Sequence, residues 1–251
     1  MSDIRLDECD WFPANVRALL RSRRHAFEQA IELDTLLRFA WVRQVALQLE
    51  AVARTHTVIA YRCLRESEAG QTQSRGLPSL TLEGHQRAFL RAAWPHFTTD
   101  DIGFIRSAWT RYWGPFACAG QTVRTLLCLE RSALQGADAQ CLLQHFGCEA
   151  TIWPLLEAEP IARKLPHIGD AVVAHIAIPG RELRSQVDYA LGRAALSCHH
   201  RNVNVRALPD SPDAWIKRDI RPDEIRAIID WNAHNTKSSL YAGAASAQVH
   251  V

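Results

Sequence analysis

The sequence lacks any apolar run near the roughly 20 residues that a membrane-spanning helix requires. Its first residues, MSDIRLDECDW, are acidic and polar, which is unlike a secretory signal peptide. The net charge is only +2, so no strong overall field favours binding to nucleic acid. We therefore expect a protein that has no membrane anchor and is not built around a nucleic-acid surface.

The seven cysteines lack the even number and regular spacing of a disulfide framework. Scattered, unpaired thiols are typical of proteins kept in a reducing compartment. The composition therefore predicts a cytoplasmic protein with mostly free thiols. A bacterial toxin or effector that a dedicated machine secretes would have the same composition, so that alternative stays open.

Four common catalytic motifs are missing: the GxxxxGK[ST] phosphate loop, the GxGxxG dinucleotide turn, the HExxH zinc motif and the GxSxG elbow. The nearest approach to a metal site is Cys141, His145 and Cys148, but no paired CxxC accompanies them. We therefore expect no metal. A thiol nucleophile, Cys148 with His145, remains a minor alternative because no third group is visible to orient the histidine.

Length and periodicity predict how the chain is organised. The 251 residues suffice for one large domain or two small ones. An apolar stripe at helical spacing predicts an N-terminal helical segment over residues 1–54. An α+β domain is expected over residues 55–234, and a mobile tail rich in Ser, Ala and Gly over 235–251. Basic residues at 17–25 are typical of a solvated helix face, with a phosphate-contacting patch as the alternative.

Within the second domain, short apolar runs predict strands at 57–62, 123–130, 171–178, 202–206 and 213–220. Residues 225–231 fit either a strand or a helix. Helices are predicted at two places within 81–113 and at 138–145, 154–165 and 181–196. This irregular order favours an α+β domain over a regular βαβ array.

Two charged residues occupy positions where function is common. Glu149 directly follows a turn of small residues and has apolar residues on both sides, so it is either a helix N-terminal charge or a carboxylate placed for chemistry. Arg62 ends a predicted strand and leads into a loop, where functional side chains are frequent. Its ordinary interpretation is a salt bridge at the strand end.

Five segments, taken in order, carry a family resemblance: VIAYRCLRE, GLPSL, FGCEATIWPL, HIGDAVVAHIAIPG and WIKRDIRPDEIRAII. They resemble a group of uncharacterised bacterial proteins with a GGEA-type turn and a YxKRDIP-type C-terminal segment, over roughly residues 30–231. The layout is in turn similar to the ADP-ribosyltransferase superfamily. The resemblance implies an N-terminal helical layer followed by a mixed, mainly antiparallel ADP-ribosyltransferase-like split sheet with short helices.

The resemblance implies an NAD-using transferase or NAD hydrolase that cleaves the nicotinamide–ribose bond, as a bacterial toxin or effector would. Cleavage develops positive charge on the sugar, which a placed carboxylate stabilises. Glu149 would be this acid. However, none of the five segments contains the superfamily's complete ExE or QxE pair, the chain has no STS motif, and Cys148 stands where the group has Gly, so Asp213 is the alternative acid.

NAD as substrate also needs binding residues. Arg62 would pair its planar guanidinium with the pyrophosphate. The further cofactor-binding candidates implied are the aromatic residues Tyr61 and Trp153, which could stack on nicotinamide, and His145.

Two other functions remain in competition with this one. The aromatic segment 94–116 could bind a protein partner, which would make the chain a non-catalytic effector or defence protein. A nucleic-acid- or nucleotide-acting enzyme would instead use Arg21, Arg23, Arg24 and His145. The acceptor of a transferase, a protein or a nucleic acid, is left open.

Overall fold

The computed structural model describes residues 3–114, 124–210 and 212–231. The chain folds into two compact units, each assembled from separate stretches. Unit 1 consists of residues 1–62, 124–137 and 176–218, and unit 2 of residues 63–123, 138–175 and 219–251. The predicted N-terminal segment, up to residue 54, belongs to unit 1. The predicted tail, 235–251, lies outside the described residues.

The described residues form an α+β fold. The helices are α1 (Ala14–Ser22), α2 (Arg24–Gln29), α3 (Leu33–Leu37), α4 (Ala40–Thr55), α5 (Gln71–Arg75), α6 (Leu82–Ala93), α7 (Thr99–Trp113), α8 (Ala137–Gln144), α9 (Glu149–Leu156), α10 (Glu159–Ala162) and α11 (Ala190–Val203). The strands are β1 (Asp3–Arg5), β2 (Thr57–Glu66), β3 (Thr125–Leu127), β4 (Asp170–Pro179), β5 (Ala214–Ile216) and β6 (Ile225–Asp230). Among these residues, no helix is long and apolar enough to span a bilayer.

Six strands form two sheets, with strand orders β1-β2-β4-β6 and β3-β5. The unit boundaries fall inside β2 and β4, so each of these strands contributes residues to both units, and β1 pairs with the part of β2 that belongs to unit 1. β1 pairs parallel to β2, with Ile4 opposite Val58. β3 pairs antiparallel to β5, with Leu126 opposite Trp215. The strand pairing is therefore mixed.

The core of unit 1 depends on close packing of α4 against α11. Gly192 makes this approach possible, because a methyl group there would overlap the carbonyl oxygen of Ala46. The Glu50 carboxylate on α4 accepts hydrogen bonds from the backbone N–H groups of Leu191, at 2.7 Å, and Gly192, at 3.0 Å. It thereby satisfies donors that the first turn of α11 would leave unpaired. The basic residues at 17–25 predicted on a solvated face, Arg17, Arg21, Arg23, Arg24 and His25, are exposed.

In unit 2, aromatic side chains of α6 and α7 and of the turn before α9 pack together. The Phe89 ring lies 5.6 Å from that of Trp109 and 5.7 Å from that of Phe146, centroid to centroid. At the start of α7, Thr98 accepts a hydrogen bond from the backbone N–H of Asp101, whose carboxylate accepts one from the Thr98 N–H. This capping box is the helix start that the sequence of this region indicates.

Most of the predicted strands are present, although the observed limits differ from the predicted ones. Those at 57–62, 171–178 and 213–220 correspond to β2, β4 and the shorter β5, and the segment predicted at 225–231 forms strand β6 over Ile225–Asp230 rather than a helix. The strand predicted at 202–206 is wrong, because α11 continues to Val203. Asn204 follows the helix end, and its side-chain amide donates to the Ala30 carbonyl at 2.6 Å. Its polar character therefore reflects capping contacts, not an exposed strand face.

The predicted helix limits also differ from the observed ones in two segments. The helix predicted from residue 181 begins at Ala190, and the one predicted from residue 154 is preceded by α9, which starts at Glu149. Pro154 consequently lies inside α9 and cannot donate to the carbonyl of Ala150. The indole Nε1 of Trp113 donates to that carbonyl instead, at 2.9 Å. A tertiary contact thus compensates for a proline that local rules place at a helix start.

Candidate functional site

The predicted site residues fall in both units. Tyr61, Arg62 and Asp213 belong to unit 1. The other three, His145, Glu149 and Trp153, belong to unit 2 and are partly exposed.

Arg62 does not end its strand as predicted: β2 continues to Glu66, so Arg62 lies within the strand. Arg62 is largely buried, with 8% exposed. Its Nη1 donates a hydrogen bond to the carbonyl oxygen of Leu126 at 3.0 Å. Next to it, Tyr61 and Cys128 exchange two backbone hydrogen bonds of 2.8 Å each. Strand β3 is therefore held beside β2 at the position of Arg62.

The same ribbon brings Asp213 into this neighbourhood. β3 pairs with β5 so that Leu127 faces Ala214. Continuing this antiparallel register by one residue places Asp213 opposite Cys128. On that register, Tyr61 and Asp213 would flank Cys128 on opposite sides. With adjacent strands about 4.8 Å apart, their backbones would be on the order of 10 Å apart with the β3 chain between them. The Asp213 residue is exposed, as a carboxylate that meets a ligand must be.

Two further residues, Arg124 and Trp215, add a positive charge and an aromatic ring to the β3–β5 ribbon near Arg62. The guanidinium of Arg124, directly before β3, lies 4.4 Å from the ring centroid of Trp215 on β5. Arg124 is exposed. An arginine stacked on an aromatic ring keeps its edge donors available for a phosphate or carboxylate. We did not predict either residue from the sequence, although an arginine at the start of an apolar strand was a signal that could have identified Arg124.

Tyr61 is fully buried, with 0% of its side chain exposed. Its hydroxyl donates to the Asp7 carboxylate at 3.2 Å and accepts a hydrogen bond from Arg131 Nε at 3.3 Å. Burial, and secondarily the Asp7 charge, raises the pKa of Tyr61. A nicotinamide ring could stack on this side chain only if the surrounding residues moved.

In unit 2, Glu149 is the first residue of α9. A carboxylate at this position interacts favourably with the helix dipole, which accounts for it without a catalytic role. The preceding turn contains Gly147 with φ 129°, a conformation that favours glycine, and a Cβ there would lie 2.6 Å from Thr151 Oγ1. The Thr151 hydroxyl oxygen accepts a hydrogen bond from the backbone N–H of Cys148 at 3.0 Å. The turn therefore fixes the direction in which α9 begins.

A cavity of about 480 Å³ lies within unit 2. Its polar lining includes Arg65, His145, Asp170 and Asp230, whereas Glu149 and Trp153 are not among its lining residues. The His145 Nδ1 lies 3.0 Å from the Cys141 carbonyl oxygen, close enough for a hydrogen bond to the end of its own helix. Of the three predicted residues in unit 2, His145 lines this cavity, whereas Glu149 and Trp153 do not.

Arg65 has a structural role in the wall of that cavity. It donates to the carbonyl oxygens of Ile168 at 2.9 Å, Leu143 at 2.8 Å and Pro166 at 2.8 Å, and also to that of Gly169. Burial lowers the pKa of its guanidinium. These contacts bind the end of α8 and the residues before β4 to the end of β2.

The histidine and cysteine contacts of unit 2 differ from those expected. The Sγ of Cys148 lies 3.4 Å from Nδ1 of His85 on α6. The Sγ of Cys141 lies 3.8 Å from Nδ1 of His145. Over residues 3–114, 124–210 and 212–231, no three His, Cys, Asp or Glu side chains are grouped so that they could hold a metal ion.

Comparisons of the chain with known protein families, with curated proteins and with solved structures found no match.

Proposed function

We propose that the chain is an NAD-using enzyme similar to ADP-ribosyltransferases, which cleaves the nicotinamide–ribose bond and either transfers ADP-ribose or hydrolyses NAD. The observation that carries this proposal is the hydrogen bond from Arg62 to Leu126, which ties the β2 arginine to the ribbon that ends next to Asp213. A bacterial toxin or effector is the biological role that fits such an activity.

Arg62, Arg124 and Asp213 each have a chemical role in this reaction. Arg62 and Arg124 supply planar cations that can pair with the two phosphates of a dinucleotide. Asp213 supplies a negative charge for the sugar as the nicotinamide leaves, because the ribose then resembles an oxocarbenium ion. A fixed carboxylate stabilises that developing charge more strongly than water does.

We favour Asp213 over Glu149 as the acid. Asp213 belongs to the same unit as Arg62 and lies on the ribbon that Arg62 contacts. Glu149 starts a helix in unit 2, where its charge has a structural explanation. Glu149 remains the alternative acid, and the two assignments predict different variants to be inactive.

The test measures release of nicotinamide from NAD by the purified protein, with and without mixed protein and RNA acceptors. We expect Asp213→Asn to lower the rate by roughly 100-fold or more, since it removes a charge that acts in the transition state. Glu149→Gln and the control Asp223→Asn, which alters another exposed acid, should retain the wild-type rate. The reverse pattern would transfer the role to Glu149, and a wild-type protein that releases no nicotinamide and produces no heat with NAD in calorimetry would refute the proposal.

Arg62→Lys separates binding from folding. Lysine keeps the charge but loses the planar fork, so KM for NAD should rise with a smaller change in kcat. Thermal unfolding of the same variant reports whether the largely buried site tolerates lysine. A folded Arg62→Lys protein with an unchanged KM would remove Arg62 from the binding site.

A second candidate function, binding of a protein partner, is favoured by one observation in unit 2. Trp94, Phe104 and Tyr112 are 56%, 45% and 45% exposed, although most large apolar residues of the described chain are buried. Exposed aromatic residues are enriched where proteins bind one another. If this is the function, Phe104→Ser with Tyr112→Ser should abolish partner capture while leaving nicotinamide release, if any, unchanged. A partner retained by the double variant would exclude this surface.

A further inference from the structure

A pair of cysteines meets in unit 1, far from one another in sequence. Cys9 lies in the loop between β1 and α1, and Cys198 lies on α11. The side-chain amide of Asn202, one turn further along α11, donates to both sulfurs, at 3.8 Å to Cys9 and 3.6 Å to Cys198. One amide group thus holds the two thiols in one neighbourhood.

The two thiols differ in their access to solvent. Cys198 is buried, with 4% exposed, whereas Cys9 is partly exposed. A small oxidant can therefore reach Cys9 directly, and Cys198 lies behind it. This is the arrangement in which a first thiol attacks and a second, protected thiol completes the reaction.

We propose that Cys9 and Cys198 form a dithiol site that is oxidised by hydroperoxides, with Cys9 as the attacking thiol and Cys198 as the resolving thiol. The proposal does not depend on the NAD reaction, because it uses neither Arg62 nor Asp213.

The chemistry balances in two steps. The Cys9 thiolate attacks the terminal oxygen of the hydroperoxide, so that a sulfur–oxygen bond forms, the oxygen–oxygen bond breaks and the alcohol or water leaves after taking up a proton. Cys9 is then a sulfenic acid, oxidised by two electrons while the peroxide is reduced. The Cys198 thiol attacks that sulfur, a disulfide forms, and the hydroxyl leaves as water with the proton that Cys198 gives up. The net reaction converts two thiols and one hydroperoxide into a disulfide, an alcohol and water.

The electrostatic surroundings favour this division of roles. A hydrogen bond from the Cys198 thiol, against the opposing effect of burial, lowers the pKa of Cys9 to about 5, and His199 contributes in the same direction. The same hydrogen bond and burial raise the pKa of Cys198. At neutral pH the pair therefore holds one thiolate and one thiol, and the thiolate is the nucleophilic form.

Other thiols of the described chain serve as comparisons. Cys141, on α8, has a pKa that burial and the nearby Asp138 and Glu149 charges raise. It is therefore a cysteine that should react slowly, which makes Cys141→Ser a matched control.

The experiment treats the reduced full chain with one equivalent of hydrogen peroxide, blocks the remaining thiols with an alkylating reagent and maps peptides by mass spectrometry. We expect a Cys9–Cys198 linked peptide and the loss of two thiols per chain. Cys198→Ser should stop at the Cys9 sulfenic acid, which a dione reagent traps. Cys9→Ser should form neither product, and Cys141→Ser should behave as the wild type.

Two outcomes would overturn the proposal. The first is a wild-type protein that retains all its thiols or forms a disulfide between other cysteines. The second is a Cys9→Ser protein that loses thiols as fast as the wild type. Because the wild-type measurement stands on its own, the test remains decisive if a variant at the buried Cys198 does not fold.

Discussion

The pH dependence of Cys9 alkylation tests the electrostatics of the dithiol site most directly. The side chains that act on the Cys9 sulfur are Cys198, His199 and Asn202, all on α11, and each lowers its pKa. Only burial acts in the opposite direction. Since the thiolate is the reactive form, the alkylation rate follows the ionised fraction of each cysteine.

The magnitude follows from the two pKa values. With the pKa of Cys9 at about 5, the ionised fraction is about 0.9 at pH 6 and near 1 at pH 8. An unperturbed cysteine with a pKa of about 8.5 is ionised to about 0.003 at pH 6 and about 0.24 at pH 8. Between these pH values, the Cys9 rate should rise by about 1.1-fold and that of the unperturbed thiol by about 75-fold. Each ratio compares the alkylation rates of one cysteine at two pH values, so differences in exposure between cysteines cancel.

The assay exposes the reduced protein to iodoacetamide for short times at several pH values, quenches with a heavier reagent and quantifies each cysteine peptide. Cys141 in the same samples is the internal comparison. Because its pKa is raised, its rate should increase about 100-fold over the same interval, the limit for a thiol that stays protonated. A Cys9 rate that increases by tens of fold would refute the assignment of a thiolate.

A variant identifies the cause of the flat profile. Cys198→Ala removes the thiol that donates to Cys9, which is the largest contribution to the lowered pKa. The Cys9 rate at pH 6 should therefore fall and a steep pH dependence should return, whereas Cys141→Ala should leave the profile flat. An unchanged profile in a folded Cys198→Ala protein would assign the effect to His199 or Asn202 instead.

Three stability predictions follow from other buried contacts, each measured by urea unfolding. Arg65→Met should cost about 2–4 kcal/mol, because it deprives buried carbonyl oxygens of a charged donor. Burial raises the pKa of Glu130 to about 7, against about 4.3 in an unfolded chain, so the folded state keeps a proton that the unfolded state loses. The free energy of unfolding should thus decrease by roughly 3 kcal/mol from pH 4.3 to 7, and Glu130→Gln should flatten that decrease. Gly192→Ala should destabilise by at least about 3 kcal/mol, while the control Gly103→Ala, with open space around it, should stabilise by about 0.5–1 kcal/mol. A Gly192→Ala protein as stable as the wild type, a pH profile that Glu130→Gln does not change, or a neutral Arg65→Met would each contradict the corresponding contact.

Strands that are apolar and β-branched were predictable from the sequence alone. β2 and β4 are buried along most of their length, so their residues form continuous apolar runs. The strand predicted at 202–206 is wrong because alternating polar and apolar residues also occur near a helix end, where polar side chains make tertiary contacts. Asn202, in the last turn of α11, contacts Cys9, and Asn204, directly after the helix, contacts Ala30. Such tertiary partners leave no local pattern.

The candidate residues show the same limit. Arg62 could be singled out because the apolar run 57–61 ends at it, although strand β2 continues to Glu66. Its neighbours in space could not, because Leu126 is 64 residues away along the chain and reaches it only through the pairing of β3 with β2 and β5. The contact between Cys9 and Asn202 spans 193 residues. Short sequence spacings single out Cys141, His145 and Cys148, but they cannot identify residues that meet from such distant positions in the chain.

The loop between β1 and α1 relates the dithiol to the residues around Arg62. Asp7 and Cys9 lie two positions apart in this loop, where Asp7 accepts the Tyr61 hydroxyl and Cys9 meets α11. A disulfide would replace the weak contacts of Cys9 by a covalent bond, so the loop could no longer adjust independently of α11. Asp7 is also paired with Arg131 at 3.0 Å, which couples the loop to the residues after β3. Because β3 lies beside β2 at Tyr61 and Arg62, we expect the proposed disulfide to affect that region through the position of Asp7, by way of the Tyr61 hydroxyl and the Arg131 ion pair.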